Sequence, residues 1–133
     1  MSLASPQAAT RDPASRPGNT RAKLVAALST VPGLTALPTV PDQATAGAAW
    51  PRWIQTTYDG PLCTLAVDTY EVLVTLPAAY ASLTVTQGDS FRDLVALTLA
   101  AQSGVQVQLV EPAQIVFQAQ QAMPGLRLRI TTH

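Results

Sequence analysis

The densest helical spacing of apolar positions lies between Asp89 and Gly104, D-S-F-R-D-L-V-A-L-T-L-A-A-Q-S-G. Ser90 with Asp93 three residues on forms an S-x-x-D capping box, which predicts the helix start. Gly104 predicts its end, through a left-handed terminal residue. At about 100° per residue, Leu97, Ala101, Leu94, Phe91, Val95 and Leu99 sweep a wide apolar arc. Leu94 and Leu97 lie near its centre and are expected to hold the helix to a sheet. Arg92, Asp93, Ala96 and Ala100 are left on the opposite side.

Residues on either side of this helix alternate with period two. Cys63–Leu76 carries the cleanest strand pattern, with Tyr70, Val72, Val74 and Leu76 on one face and Thr69, Glu71, Leu73 and Thr75 on the other. Trp53–Tyr58 reads as a strand, and Asp59-Gly60-Pro61 as the turn of a hairpin between the two. Ser82–Thr86 is either a short strand or the approach to the main helix. After Gly104, Val105, Val107 and Leu109 are expected inward, Glu111-Pro112 turns the chain, and Ile115, Phe117 and Ala119 point inward on the next strand. Pro124-Gly125 is a second turn before Leu126, Leu128 and Ile130. Earlier in the chain, Asn19 or Thr20 can cap a short helix, Arg21–Thr30, ended by Val31-Pro32-Gly33. Gly33–Pro41, broken by Pro38 and Pro41, is an edge strand or an extended loop.

These elements predict one α+β domain over residues 20–133, with a mixed, mostly antiparallel β-sheet and two helices packed on one face. Residues 1–19, rich in Ala, Ser, Pro and Arg, read as a flexible arm.

Composition adds one unusual feature. Charged residues are 12% of the 133-residue chain, about half the usual ~25%. The surface is therefore either buried against other chains or covered by Thr, Gln and Ser. The outward positions of the last strands, Gln106, Gln108, Gln114, Gln118, Gln120, Arg127 and Arg129, are polar but poor in charge. Zero net charge gives no basic face for nucleic acid, so no sequence-specific nucleic-acid binding is expected. The longest apolar run, Leu94–Ala101, falls short of a membrane span, and no membrane partner is expected.

Catalytic patterns are missing. The single histidine is His133 and the single cysteine is Cys63, with no basic neighbour in sequence, so neither an activated nucleophile nor a metal cluster is expected. Asp68 and Glu71 are close in sequence, but a separation of three places them on opposite faces of a strand. No glycine-rich phosphate loop follows a strand, and no cofactor is expected. Trp50 and Trp53, three residues apart, can stack a ligand, but are read as covering one end of the core or a subunit contact.

The stretches T-R-A-K-L-V-A-A-L, D-T-Y-E-V-L-V-T-L-P and S-F-R-D-L-V-A-L-T-L-A-A, in this order of elements, resemble tail terminator and tail completion proteins of long-tailed bacteriophages. The resemblance covers about residues 20–133, and the Ala- and Thr-rich, Lys-poor style is similar to actinobacterial phage structural proteins. It implies a homo-oligomeric ring, a hexamer, that caps the tail tube and joins the neck. The expected partners are further copies of the chain, the tail tube protein and a neck or connector protein. The expected location is the tail–neck junction of the virion, after assembly in the bacterial host cytoplasm. No active site comes with the resemblance. Trp50, Trp53, Gln106, Gln108, Gln118, Arg127 and Arg129 are the expected interface residues. The alternatives are another connector ring, such as a neck stopper, or a small ligand-binding α/β domain using Trp50 and Trp53.

Overall fold

A computed structural model describes residues 16–59, 65–77, 85–117 and 121–132. In chain order the elements are α1 (Arg16–Leu28), β1 (Thr35–Ala36), β2 (Ala48–Asp59), β3 (Leu65–Thr75), α2 (Val85–Ala100), β4 (Val105–Val116) and β5 (Ala122–Thr132). The five strands form one sheet in the order β1-β2-β3-β5-β4, with β1 parallel to β2 and all other pairs antiparallel. Both helices lie on one face. Leu24, Ala27 and Leu28 of α1 and Phe91, Val95 and Leu99 of α2 are buried against Tyr70, Val72, Val74, Leu128 and Ile130 of the central strands. The expected α+β architecture is the one observed.

The main helix differs from its sequence reading at both its start and its buried face. It begins at Val85, so Ser90 lies inside it and caps nothing. Asp89 and Asp93 instead pair with Arg92, at 3.1 and 3.2 Å. The buried stripe is Phe91, Val95 and Leu99, spaced by four, with Ala96 packed beside it. Leu94 is 42% exposed and Leu97 is 69% exposed, so neither holds the helix to the sheet. Apolar residues run almost round this helix, so the arc alone did not fix a direction. The single row Phe91, Val95 and Leu99, one turn apart, took the sheet. Gly104 does adopt the left-handed conformation, with φ of 77°, after a turn that follows Ala100.

The strands are longer and fewer than expected. Glu111-Pro112 and Pro124-Gly125 are not turns, because β4 and β5 run through them. Pro112 is tolerated because β4 is an edge strand and the side away from β5 asks for no donor. The Pro124 carbonyl accepts from the Leu76 N–H at 3.4 Å, which places the proline nitrogen on the β3 side, past the last pair Thr75–Gly125. Gly125 is required there: a Cβ would stand 2.0 Å from the Val74 carbonyl oxygen.

Strands β2 and β4 each carry one extra residue that reverses their faces. The register shifts between Trp53 and Gln55 in β2, and between Val107 and Leu109 in β4. Leu109 is thereby turned away from the helices and is 46% exposed, against the inward expectation. Ile115 and Phe117 are buried, but on the helix-free face, where they join Ala48 and Trp50 in a second cluster. Segment 37–47 covers that cluster through Leu37, Val40 and Ala44. Thr75 fixes the cover: the Ala48 N–H donates to Thr75 Oγ1 at 2.9 Å, and that hydroxyl donates to the Thr45 carbonyl at 2.6 Å.

At the N-terminal end, α1 starts at Arg16, inside the stretch read as an arm, so Asn19 and Thr20 are not its caps. Residues 1–15 and the turn at Gly60-Pro61, with Cys63, Ser82, Gln118, Ala119, Gln120 and His133, lie outside the described residues.

Candidate interaction surface

Among the described residues, the part of the helix-free sheet face beyond the cover of segment 37–47 is a broad surface that no helix packs on. Cross-strand partners share a face in an antiparallel pair. One row across it therefore reads Arg52, Glu71, Arg129 and Leu109 through β2, β3, β5 and β4. The next row reads Trp50, Leu73, Arg127 and Glu111. Toward the far end, Gln55, Thr69, Thr131 and Gln106 make a third row without charge.

Four charged side chains of the first two rows, Arg52, Glu71, Arg127 and Glu111, join into a ladder that spans all four long strands. Arg52 Nε lies 3.9 Å from Glu71 Oε1, Arg127 Nε lies 3.8 Å from Glu71 Oε2, and Arg127 Nη1 lies 3.3 Å from Glu111 Oε1. The signs alternate plus, minus, plus, minus from the β2 edge to the β4 edge. The Glu71 side chain is 11% exposed, whereas that of Arg52 is 64% exposed. Arg52 is thus wet, Arg127 and Glu111 are each about two-fifths exposed, at 40% and 39%, and Glu71 is shielded. A carboxylate this buried is tolerable because a guanidinium flanks it on each side.

The expected interface residues fall in several places. Arg127 and Arg129 both point away from the helices, as expected, but do different things. Arg127 is an internal member of the ladder, and Arg129 is exposed and makes no ion pair among the described residues. Gln106 is exposed on the same face, and Gln108 is the extra residue of β4, its Nε2 donating to Thr131 Oγ1 at 3.5 Å. Gln118 lies outside the described residues. The tryptophans are separated by the sheet. Trp50 is 2% exposed on the helix-free face, its ring centroid 5.5 Å from that of Phe117. Trp53 pairs with Tyr70 and so lies on the helix side, 47% exposed, its Nε1 donating to Thr56 Oγ1 at 3.0 Å. Both nevertheless border one groove at the open edge of β2, where Trp53 is half exposed and Trp50 offers almost no surface.

Sequence reasoning missed Arg52, Glu71 and Glu111 as a connected set. Glu71 was placed on the correct face, but its partners depend on strand order and on the β4 bulge, neither of which local alternation encodes. As the period-two pattern implied, Asp68 and Glu71 do not meet. Asp68 is buried opposite Thr132 on the helix side, accepting from the Thr56 hydroxyl.

Two grooves flank this arrangement. One, of about 680 Å³, runs on the helix side between α2 and the strand pair β4–β5, lined by Leu76, Arg92, Val110, Pro112 and Leu126. The other, of about 310 Å³, lies at the open edge of β2 between Arg21, Val40, Trp50, Pro51, Arg52 and Trp53. Neither holds a cluster of residues able to bind a metal among the described residues, and no described helix is long and apolar enough to cross a membrane. No protein-family model matches the chain, and no curated protein or solved structure matches it either.

Proposed function

We propose that the chain is a structural virion protein, one subunit of a hexameric ring that terminates a phage tail tube and joins it to the neck of the head. The reading comes from the resemblance of residues 20–133 to tail terminator and tail completion proteins. The observation that carries it furthest is the helix-free sheet face, bounded by two strand edges and crossed by one charge ladder. Such a face offers shallow surface with paired charges for protein contact and little for catalysis. The low charge content fits a subunit whose surface is largely covered after assembly. In this reading the tail tube protein and a neck or connector protein meet the ring, and no cofactor takes part.

A neck stopper or other connector ring shares these surface requirements and differs only in its place in the neck. The ligand-binding alternative would use the groove at the β2 edge that Trp50 and Trp53 both border; it is the weaker reading because Trp50, 2% exposed, offers a ligand almost no ring face.

The test is removal of the coding segment from the phage genome, followed by inspection of the lysate. Full heads and unjoined tails, with several copies of the chain at the tail–neck junction of the parent particle, are the expected result. Infectious, intact particles without the chain would overturn the reading.

A further inference from the structure

The ends of the charge ladder lie on opposite edges of the sheet, and they complement each other. Arg52 sits on β2, which β1 covers only at Ala48 and Ala49. Glu111 sits on β4, which pairs with β5 alone. The alternation thus begins with an exposed cation at one edge and stops with a half-exposed anion at the other. Strand direction agrees. Three successive antiparallel pairings make β2 and β4 run oppositely, so β4 of one copy beside β2 of the next continues the antiparallel order. Glu111 and Arg52 lie within one side-chain row of each other on the same face, so a neighbour set edge to edge brings them together.

From this complementarity we infer that a second copy of the chain docks head to tail, the β4 edge of one subunit against the β2 edge of the next, with Glu111 meeting Arg52. The plus, minus, plus, minus order then runs unbroken from subunit to subunit. The contact is heterologous: each copy uses a different edge, so repetition closes a ring or grows a filament. This inference rests on the ring reading for its biological setting.

The edges also limit how the copies meet. Each carries a proline and a bulge: Pro51 and Ile54 in β2, Pro112 and Gln108 in β4. The Pro51 carbonyl is already occupied, accepting from Arg21 Nη1 at 2.7 Å. Backbone pairing is therefore interrupted, and side chains carry the contact. Leu109, exposed next to the ladder on β4, supplies the apolar part, and the helix-free side of the β2-edge groove, by Trp50 and Arg52, is where the receiving edge meets it. This arrangement explains an open edge that does not invite indiscriminate strand addition.

The experiment uses two charge reversals of the full chain, Arg52→Glu and Glu111→Arg. Sedimentation velocity follows each alone and an equimolar mixture, up to about 1 mM, the weak end of specific association. The parent chain is expected to associate, and less so as salt is raised. Each variant alone places like charges at the contact and should associate at least ~10-fold more weakly. The mixture should regain association, because copies of the two variants can alternate. One contact then keeps the native Glu111 and Arg52 pair, and the next joins the two substituted positions with their charges exchanged. Melting curves identify a variant that fails to fold. In that case Arg52→Gln and Glu111→Gln replace the reversals, each expected to weaken association alone, with the native Glu111 and Arg52 pair regained at every second contact on mixing. A parent that stays monomeric at about 1 mM, variants that associate like the parent, or reversed variants that do not recover on mixing would overturn the contact. A ring found in the virion neck with Arg52 and Glu111 apart would sink this contact and leave the ring reading standing. Head-to-tail association of a chain missing from virions would do the reverse.

Discussion

Glu71 on β3 and Arg127 on β5 are not cross-strand partners, yet their charged groups lie 3.8 Å apart. Directly opposite Glu71 is Arg129, and directly opposite Arg127 are Leu73 and Glu111. The diagonal wins because Arg127 has an acid on each side, whereas Arg129 has Leu109 on its other flank. A long side chain reaches diagonal neighbours easily at ~7–8 Å. One arginine bridging two carboxylates leaves the second arginine free in solvent.

This geometry separates two residues that look alike in the sequence. Glu71→Gln removes the anion between two guanidiniums and should cost about 1–2 kcal/mol, less than a fully buried pair because both arginines are well exposed. Arg129→Ala should change stability by less than ~0.5 kcal/mol. Urea unfolding of the two variants checks the contrast, and equal effects would mean that the ladder carries no stability.

The helix variants provide a second contrast. Phe91→Ala and Leu99→Ala remove buried side chains from the sheet side of α2 and should cost roughly 2–5 kcal/mol each. Leu94→Ala and Leu97→Ala remove exposed ones and should stay within ~0.5 kcal/mol in the monomer. Thermal unfolding reads both. A large loss in Leu97→Ala would show that this face of α2 is covered in solution.

Gly125→Ala should be the most damaging small change in the chain. Its Cβ would approach the Val74 carbonyl oxygen to 2.0 Å and Ile115 Cγ1 to 2.9 Å, between two strands that cannot separate without breaking the sheet. The expected loss exceeds ~3 kcal/mol, seen as failure to recover folded protein or a collapsed melting temperature.

Thr75→Val should release the cover of the second cluster. The hydroxyl accepts from Ala48 and donates to Thr45, and its loss leaves the buried Ala48 N–H without that acceptor. The expected cost is about 1–3 kcal/mol. Iodide quenching of Trp50 should rise at the same time, as segment 37–47 loosens. Trp53→Phe removes the second fluorophore, so that the readout belongs to Trp50 alone. An unchanged quenching constant would show that Leu37, Val40 and Ala44 hold the segment without Thr75.

The fold class, the β2–β3 hairpin and the two faces of β3 were legible in the sequence because they rest on local alternation. What was not legible depends on single residues that reset that alternation. Ile54 and Gln108 each add one residue to a strand, and everything after them changes sides, Leu109, Ile115 and Phe117 included. Pro112 and Pro124 read as turn formers because proline lacks a donor. Their strands continue because no donor is needed on the side where each nitrogen points. The tryptophans looked like a pair because they are three apart. That spacing places them on opposite faces of a strand, and the bulge comes only after Trp53. The charge ladder was hidden because it is a property of strand order, β2-β3-β5-β4, and not of any stretch of chain.

The measurement that bears most directly on the central claim is the symmetry and copy number of the chain at the tail–neck junction, by electron cryomicroscopy of the purified virion. The account predicts a closed ring of identical copies, a hexamer, with neighbours related by rotation about the tail axis. A single asymmetric copy, or no copy of the chain in the particle, would contradict it.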